Sequence, residues 1–221
     1  MSFHRRAGTT HEARALADGY RLIAGVDEVG RGCLAGPVVS AAVILPVWVF
    51  DTPFTLATVR DSKIVPEIER DALREEIAAM AMSIGIGSSS NDEIDRIGIA
   101  NATRRAMMRA ILSLSVTPDI VLIDFVHLPD LSIEQRNIVD GDALSLSIAA
   151  ASIVAKTARD SEMRSVHALY PHYGFNRNKG YGTAGHLEAL RKNGPCPLHR
   201  QSFAPLRQGI LLGRPSTHNS A

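Results

Sequence analysis

The stretch Leu22-Ile23-Ala24-Gly25-Val26-Asp27-Glu28-Val29-Gly30-Arg31-Gly32 constrains this chain more than any other. Its apolar start reads as a buried strand. That strand ends on two adjacent carboxylates, and a Gly-Arg-Gly turn follows at once. Two acids at the end of a buried strand repel each other, and each is costly to desolvate unless positive charge neutralises it. A divalent cation does so with the least added structure. The glycines let the backbone approach an anion, and Arg31 adds a forked donor. A metal beside a phosphate-friendly loop points to phosphoryl chemistry. Neighbouring strand residues face opposite sides. If Asp27 and Glu28 serve one site, the strand must therefore bulge or end between them.

A chain of 221 residues with 45% hydrophobic residues can bury a sizeable core, and one domain is expected. The net charge of +1 makes no global case for nucleic acid, but its distribution does. From Lys156 to Arg214 there are ten Lys/Arg and three acids, a balance of +7, so the rest of the chain sums to −6. Such asymmetry suggests a polyanion on one side, against the plainer reading of scattered solvated charges. Two cysteines, Cys33 and Cys196, are too few for a disulfide framework or a zinc site and fit a reducing compartment. Residues 1–20 lack a signal-peptide core, and no apolar run reaches spanning length. The expectation is a cytoplasmic protein with no membrane partner.

Residues 1–20 read as a loose or helical leader. Arg21–Val29, Pro37–Leu45 and Met82–Gly87 read as strands, the last by its alternation. Pro66–Met80 is a helix with Pro near its first turn, and Asn91 begins a long helix to about Leu114. Asp119–Ile123 is a buried, parallel-type strand ending on Asp124, and Ile133–Val139 is a further strand candidate. Asp142 opens a helical stretch through Lys156, and Ala184–Lys192 is a shorter helix stopped by Asn193-Gly194-Pro195. This order implies an α/β fold, a mixed sheet flanked by helices, with a basic helical part at the end.

Four acids then occupy element ends: Asp27, Glu28, Asp124 and Asp142. Strand C-termini are where open α/β sheets build their sites. Taken alone, Asp142 is an N-cap and Asp124 a loop acid. Together they form an all-oxygen set suited to Mg²⁺ or a similar hard ion. Four carboxylates can hold two ions about 4 Å apart, one activating water and one stabilising the leaving oxygen. The chain has no paired CxxC, His-x-x-x-His, GxxxxGK[ST] or G-x-S-x-G pattern to favour zinc, P-loop or serine chemistry.

The motif Asp27-Glu28-Val29-Gly30-Arg31-Gly32 with Cys33-Leu34-Ala35-Gly36-Pro37-Val38 resembles the opening of ribonuclease HII, the type 2 ribonuclease H family. The resemblance continues through Asp61-Ser62-Lys63, Val121–Asp124, Gly141-Asp142-Ala143 and Ser145–Ile153 with Ala155-Lys156. It closes on Lys179-Gly180-Tyr181-Gly182-Thr183, His186 and His199-Arg200, and so spans about residues 21–207. It implies an RNase H-like mixed five-stranded sheet flanked by helices, with a helical C-terminal part over about residues 160–207. Residues 208–221 are then a flexible tail. It also implies Mn²⁺- or Mg²⁺-dependent cleavage of RNA in RNA–DNA hybrids. The same resemblance implies incision 5′ of single ribonucleotides in duplex DNA, leaving 5′-phosphate and 3′-hydroxyl ends, by a monomeric enzyme. The metal-binding acids carry over onto Asp27, Glu28, Asp124 and Asp142. The junction-reading residues carry over onto Gly30, Arg31, Gly32 and Tyr181.

Several positions depart from the family pattern: Val29, Ile64, Phe125-Val126, Leu144 and Gln201, the last two lacking a usual positive charge. Lys63, Lys156, Arg159, Lys179 and Arg200 are expected phosphate contacts, or else solvated charges. His186 and His199 read as structural histidines. The rival functions are another RNase H-like DNA nuclease and a non-catalytic hybrid-binding protein.

Overall fold

The computed structural model describes residues 7–52, 55–59, 62 and 65–207. Five strands, β1 (Ile23–Val29), β2 (Val38–Ile44), β3 (Ser83–Ser89), β4 (Ile120–Asp124) and β5 (Glu134–Ile138), form one mixed sheet in the order β3-β2-β1-β4-β5. β1, β2 and β3 pair antiparallel, whereas β4 and β5 join β1 in parallel. The helices are α1 (Thr10–Ala17), α2 (Trp48–Asp51), α3 (Glu67–Met80), α4 (Asn91–Ile97), α5 (Ile99–Leu112), α6 (Gly141–Leu144), α7 (Leu146–His167), α8 (Phe175–Asn178) and α9 (Ala184–Asn193). The expected mixed five-stranded sheet is therefore present.

Both faces of the central strands are buried, which is why Leu22–Val26 reads as a continuous apolar run. Ile23, Ala41, Val43 and Leu122 pack with α7 on one face; Ala24, Val26, Ala42 and Ile123 pack with α5 on the other. The α7 face is unusually tight. Ala149-Ala150-Ala151 keeps the helix thin, and a Cβ at Gly25 would lie 2.1 Å from the Ser147 carbonyl carbon. Gly25 is thus the contact point between the strand that carries Asp27 and the helix beside it.

Two expectations need correction. The long helix from Asn91 to Leu114 is two helices, because Gly98 takes a φ of +77° between α4 and α5. The helix opened by Asp142 breaks after one turn. Ser145 is extended (φ −128°, ψ 123°), and its hydroxyl caps α7 by accepting from the Ile148 amide. For the leader the helical alternative holds, with α1 over Thr10–Ala17. Ala7 and Ala15 lie in the main core, and Glu12 is fully buried. The Glu12 carboxylate accepts from Ser145 Oγ at 2.6 Å and from the Ser147 amide at 2.9 Å. It places negative charge at the N-terminus of α7, where the helix dipole favours it.

The C-terminal part has its own small core. Tyr173, Phe175, Leu190 and Cys196 pack with Met163 of α7, and with Leu34 and Ala35 from the β1–β2 connection. The loop after the paired acids is thereby shared between the two lobes. The expected tail, residues 208–221, lies outside the described residues. Among the described residues no helix is long and apolar enough to cross a membrane.

Candidate active site

The parallel ladder between β1 and β4 stops at Val26 opposite Ile123, while the β1–β2 ladder runs on to Val29 opposite Val39. One edge of β1 is therefore freed at Asp27, beside the C-terminal end of β4 and its Asp124. This is the position at which adjacent parallel strands open a crevice. A cleft of about 410 Å³ sits there, lined by Asp27, Glu28, Gly30, Arg31, Gly32, Asp124, Ser152, Lys156 and Tyr181 among others. The expected bulge between Asp27 and Glu28 does not occur, since both keep regular partners on β2 (Ala41 and Ser40). The freed edge does the work instead: side chains from both faces of β1 reach one cleft.

Asp27 shares a face with Ile23 and Gly25 and points toward α7, where Ser152 hydrogen-bonds it. Its Oδ1 also accepts from the Glu28 amide at 2.7 Å. Burial pushes the Asp27 carboxyl well above the ordinary range. The negative charges of Glu28 and Asp124 push the same way, against those two hydrogen bonds. Asp124 Oδ1 accepts from the Gly141 amide at 2.8 Å. Asp142 is the next residue, buried in α6, and it is held close to the cleft through Gly141 without lining it. Among the described residues no three His, Cys, Asp or Glu side chains form a ready-made metal-ligand group. The donor chemistry still fits a hard cation: oxygen only, mutually repulsive, with one member forced toward its neutral form.

The opposite wall is held quite differently. Gly30 has a φ of +93°, and a Cβ there would lie 2.3 Å from Arg159 Nε. Two fully buried arginines fasten the loop. Arg200 donates from Nη2 to the Gly30 carbonyl (2.7 Å) and from Nη1 to that of Arg31 (2.8 Å). Its Nε and Nη2 donate to Gly36 (3.0 and 2.8 Å). Arg159 donates to the carbonyls of Pro37 (2.9 Å), Ala35 (3.1 Å) and Lys179 (2.8 Å). Burial lowers the Arg200 pKa to about 10, so it remains a cation at neutral pH. Arg31 itself is exposed, with Nη1 3.4 Å from Glu28 Oε1.

Tyr181 stands across from this loop. Lys156 Nζ and the Arg159 guanidinium lie 5.7 and 5.9 Å from its ring centroid. Burial pushes its phenol up to about 12, helped by the neighbouring Cys33 thiol, so the hydroxyl stays protonated. A chain of buried histidines holds its backbone. The Cys196 amide donates to His199 Nδ1 (2.9 Å), the two Nε2 atoms are 3.0 Å apart, and His186 Nδ1 is 2.8 Å from the Tyr181 carbonyl. A donor at one end and an acceptor at the other fix both tautomers, with His199 Nε2–H donating to His186 and His186 Nδ1–H to Tyr181.

The expected basic contacts divide. Lys156 lines the cleft and pairs with Asp160 at 2.7 Å. Arg200 and Arg159 are corrected: they are wholly buried against carbonyls and cannot touch phosphate directly. Lys179 is also buried, its Nζ donating to the Asn176 carbonyl at 2.5 Å. The basic surplus after Lys156 is thus partly internal scaffolding rather than a surface patch. Lys63 lies outside the described residues. Ser152 and Glu12 were not anticipated. Ser152 is a buried hydroxyl within the apolar stretch from Ile148 to Ala155, a signal that could have drawn attention to it; nothing in the sequence marks Glu12.

A family model described as ribonuclease HII matches residues 24–206. A ribonuclease HII from Desulfitobacterium hafniense is 50% identical over 199 residues, covering 90% of this chain and 75% of that protein. One from Acetivibrio thermocellus is 51% identical over 193 residues, covering 87% and 73%. Among solved structures, ribonuclease H2 from Pyrococcus horikoshii superposes with a TM-score of 0.70 at 22% identity, over 84% of this chain and 95% of that one. Bst-RNase HIII in complex with Mn²⁺ superposes at 0.68 and 19%, over 88% and 70%. The two superpositions bear on the fold.

Proposed function

Because the chain belongs to the ribonuclease HII family, we propose that it incises duplex DNA on the 5′ side of an embedded ribonucleotide as well as cutting RNA in RNA–DNA hybrids. It is an endoribonuclease of the ribonuclease H class, a metal-dependent phosphodiester hydrolase. The observation that carries the finer reading is the shared cleft, lined by three carboxylates, by Gly30-Arg31-Gly32 and by Tyr181 across from that loop. Cleavage chemistry and a sugar sensor share one cleft on this reading.

On this reading Asp27, Glu28, Asp124 and Asp142 hold one or two Mn²⁺ or Mg²⁺ ions, and Mn²⁺ is favoured by its presence in the Bst-RNase HIII structure. The bound metal would activate water and neutralise charge on the phosphate. The chain's own residues position the substrate. Arg200 takes the carbonyls of Gly30 and Arg31, so the loop can turn its donors to the strand. Arg31 grips a backbone oxygen with its fork, and the protonated Tyr181 packs its ring on the sugar and donates a hydrogen bond. A 2′-hydroxyl between loop and ring distinguishes ribose from deoxyribose at that position. Lys156 adds positive charge where the transition state gains negative charge.

The catalytic unit is taken as residues 7–207 rather than beginning at 21, because Glu12 caps α7. The enzyme is taken to act as a monomer in the cytoplasm, where its two free, buried cysteines stay reduced. A side-by-side assay tests the substrate assignment, using duplex DNA with one ribonucleotide and a long RNA–DNA hybrid, each in Mg²⁺ and in Mn²⁺. Cutting 5′ of the single ribonucleotide, with products ending in 3′-hydroxyl, is expected. Cutting of the hybrid alone would reject the junction reading.

A further inference from the structure

A second cleft of about 330 Å³ lies on the far side of Arg31, lined by Arg31, Thr103, Arg104, Phe125, Val126 and His127. It shares Arg31 with the active-site cleft and starts one residue after Asp124, so any strand at the acids can continue into it. Three independent observations indicate what it takes.

Phe125 has a φ of +55°, in the left-handed region that bulky residues rarely adopt, and it is 65% exposed. Its backbone is set by the end of the β4–β5 ladder, where its amide donates to the Ile138 carbonyl at 3.0 Å. The ring gains little burial for that conformation. A strained, exposed aromatic at the lip of a catalytic cleft is where a ligand contact is to be sought. Thr103 projects from α5 into the same space. It is 1% exposed, and its Oγ1 has no hydrogen-bond partner among the described residues. Buried hydroxyls are normally bonded; this one lies just beneath the cleft lining, and a turn about χ1, between the two rotamers a helical threonine adopts, brings it to the surface where a ligand supplies the partner. Finally, the lining holds two arginines and a histidine and no carboxylate. Arg104 is kept in place by the His127 carbonyl (3.2 Å) and Asn101 Oδ1 (3.1 Å).

We propose that this cleft binds one nucleotide of the cleaved strand adjacent to the scissile phosphate. Its base, turned out of the duplex stack, lies on Phe125, its phosphate lies between Arg31 and Arg104, and a polar atom reaches Thr103. The assignment rests on the substrate class proposed above. It adds a binding position outside the acid and junction-sensing walls. An aromatic face with flanking cations suits any base, because every base offers a π-face.

The test measures binding by fluorescence anisotropy in metal-free buffer, so that cleavage does not enter. The probe is duplex DNA carrying one ribonucleotide, with an abasic site moved through the flanking positions. Wild-type enzyme is expected to lose affinity sharply at one flanking position. Phe125→Gly is expected to raise Kd for the intact duplex by about 5- to 150-fold, the range for one stacked base, and to erase sensitivity to that abasic position. Glycine suits the +55° conformation, so this variant folds at least as well as wild type, and its thermal midpoint reports that directly. Thr103→Val, which keeps the shape, is expected to cost about 2- to 10-fold in binding. Unchanged Kd in Phe125→Gly, or equal abasic losses in mutant and wild type, overturns the proposal. Failure of the wild-type enzyme to cleave the same duplex in a parallel metal-containing reaction instead brings down the substrate assignment.

Discussion

The two walls of the active-site cleft are stabilised in opposite ways. The acid wall is held by strand ends, two backbone amides and the Ser152 hydroxyl. Its charges repel, and burial drives Asp27 toward its neutral form. The loop wall is held by two arginines that donate seven hydrogen bonds to backbone carbonyls. One wall stores unfavourable electrostatics for an ion to relieve; the other is rigid before any ligand arrives. Chemistry and recognition therefore respond to mutation with different signatures.

Asp27→Asn gives the largest effect on the acid side. We expect cleavage in either metal to fall by about 10²–10³-fold or more, the scale of losing one transition-state electrostatic contact. The metal-free protein should melt no lower than wild type, because a repelled charge has been removed. Parallel turnover and melting measurements check this, and a large drop in midpoint would show that the acid wall is structural after all. Arg200→Met gives the largest effect on stability. It leaves the carbonyls of Gly30, Arg31 and Gly36 without their donor, and we expect a loss of about 3–5 kcal/mol in denaturant unfolding. A loss below about 1 kcal/mol would mean that the loop is held by other contacts.

Acid should distinguish the lobes more gently. Burial, and the proximity of His186, lower the His199 pKa to about 4; burial also lowers that of His186. In the unfolded chain both titrate near 6.5. The native state then binds fewer protons, so its stability is present above about 6.5 and is lost as pH falls toward 4. That amounts to roughly 2–3 kcal/mol from His199. The Glu93 carboxyl, lowered to about 2 first by its hydrogen bond with Arg109, works in a different window, from its ordinary value near 4.5 downward. Asp27, whose carboxyl burial raises, binds its proton more readily in the native state and so opposes this loss as pH falls; comparing wild type with a histidine variant between pH 7 and 5 isolates the histidine chain. A His199→Gln protein that keeps the same slope over that interval would exclude the pair as its source.

The central strands β1, β2 and β4 were legible because they are buried on both faces and announce themselves as apolar runs, and β3 by its alternation. Asp27, Glu28 and Asp124 were legible because charge at the end of such a run is costly. What was not legible depends on contacts remote in sequence. Nothing local reveals that Arg200 meets Gly30 rather than phosphate, since an internal arginine and a surface arginine have the same one-letter code. The freed edge at Asp27 also could not be read from β1, because it follows from where β4 stops. The break at Ser145 was masked by Ala143-Leu144 before it and the apolar, alanine-rich run after it, and Glu12, which meets Ser145 there, lies 133 residues earlier.

That last contact has a consequence for how the enzyme is made. At a synthesis rate of about 5–20 residues per second, Glu12 leaves the ribosome roughly 7–27 s before Ser145. For most of that interval β1 lacks its parallel neighbour β4, and for all of it the helix that covers Gly25. The central strand of the sheet is thus the part of the nascent chain that must be kept from other strands longest. The nuclease cannot become active until most of its length has been translated.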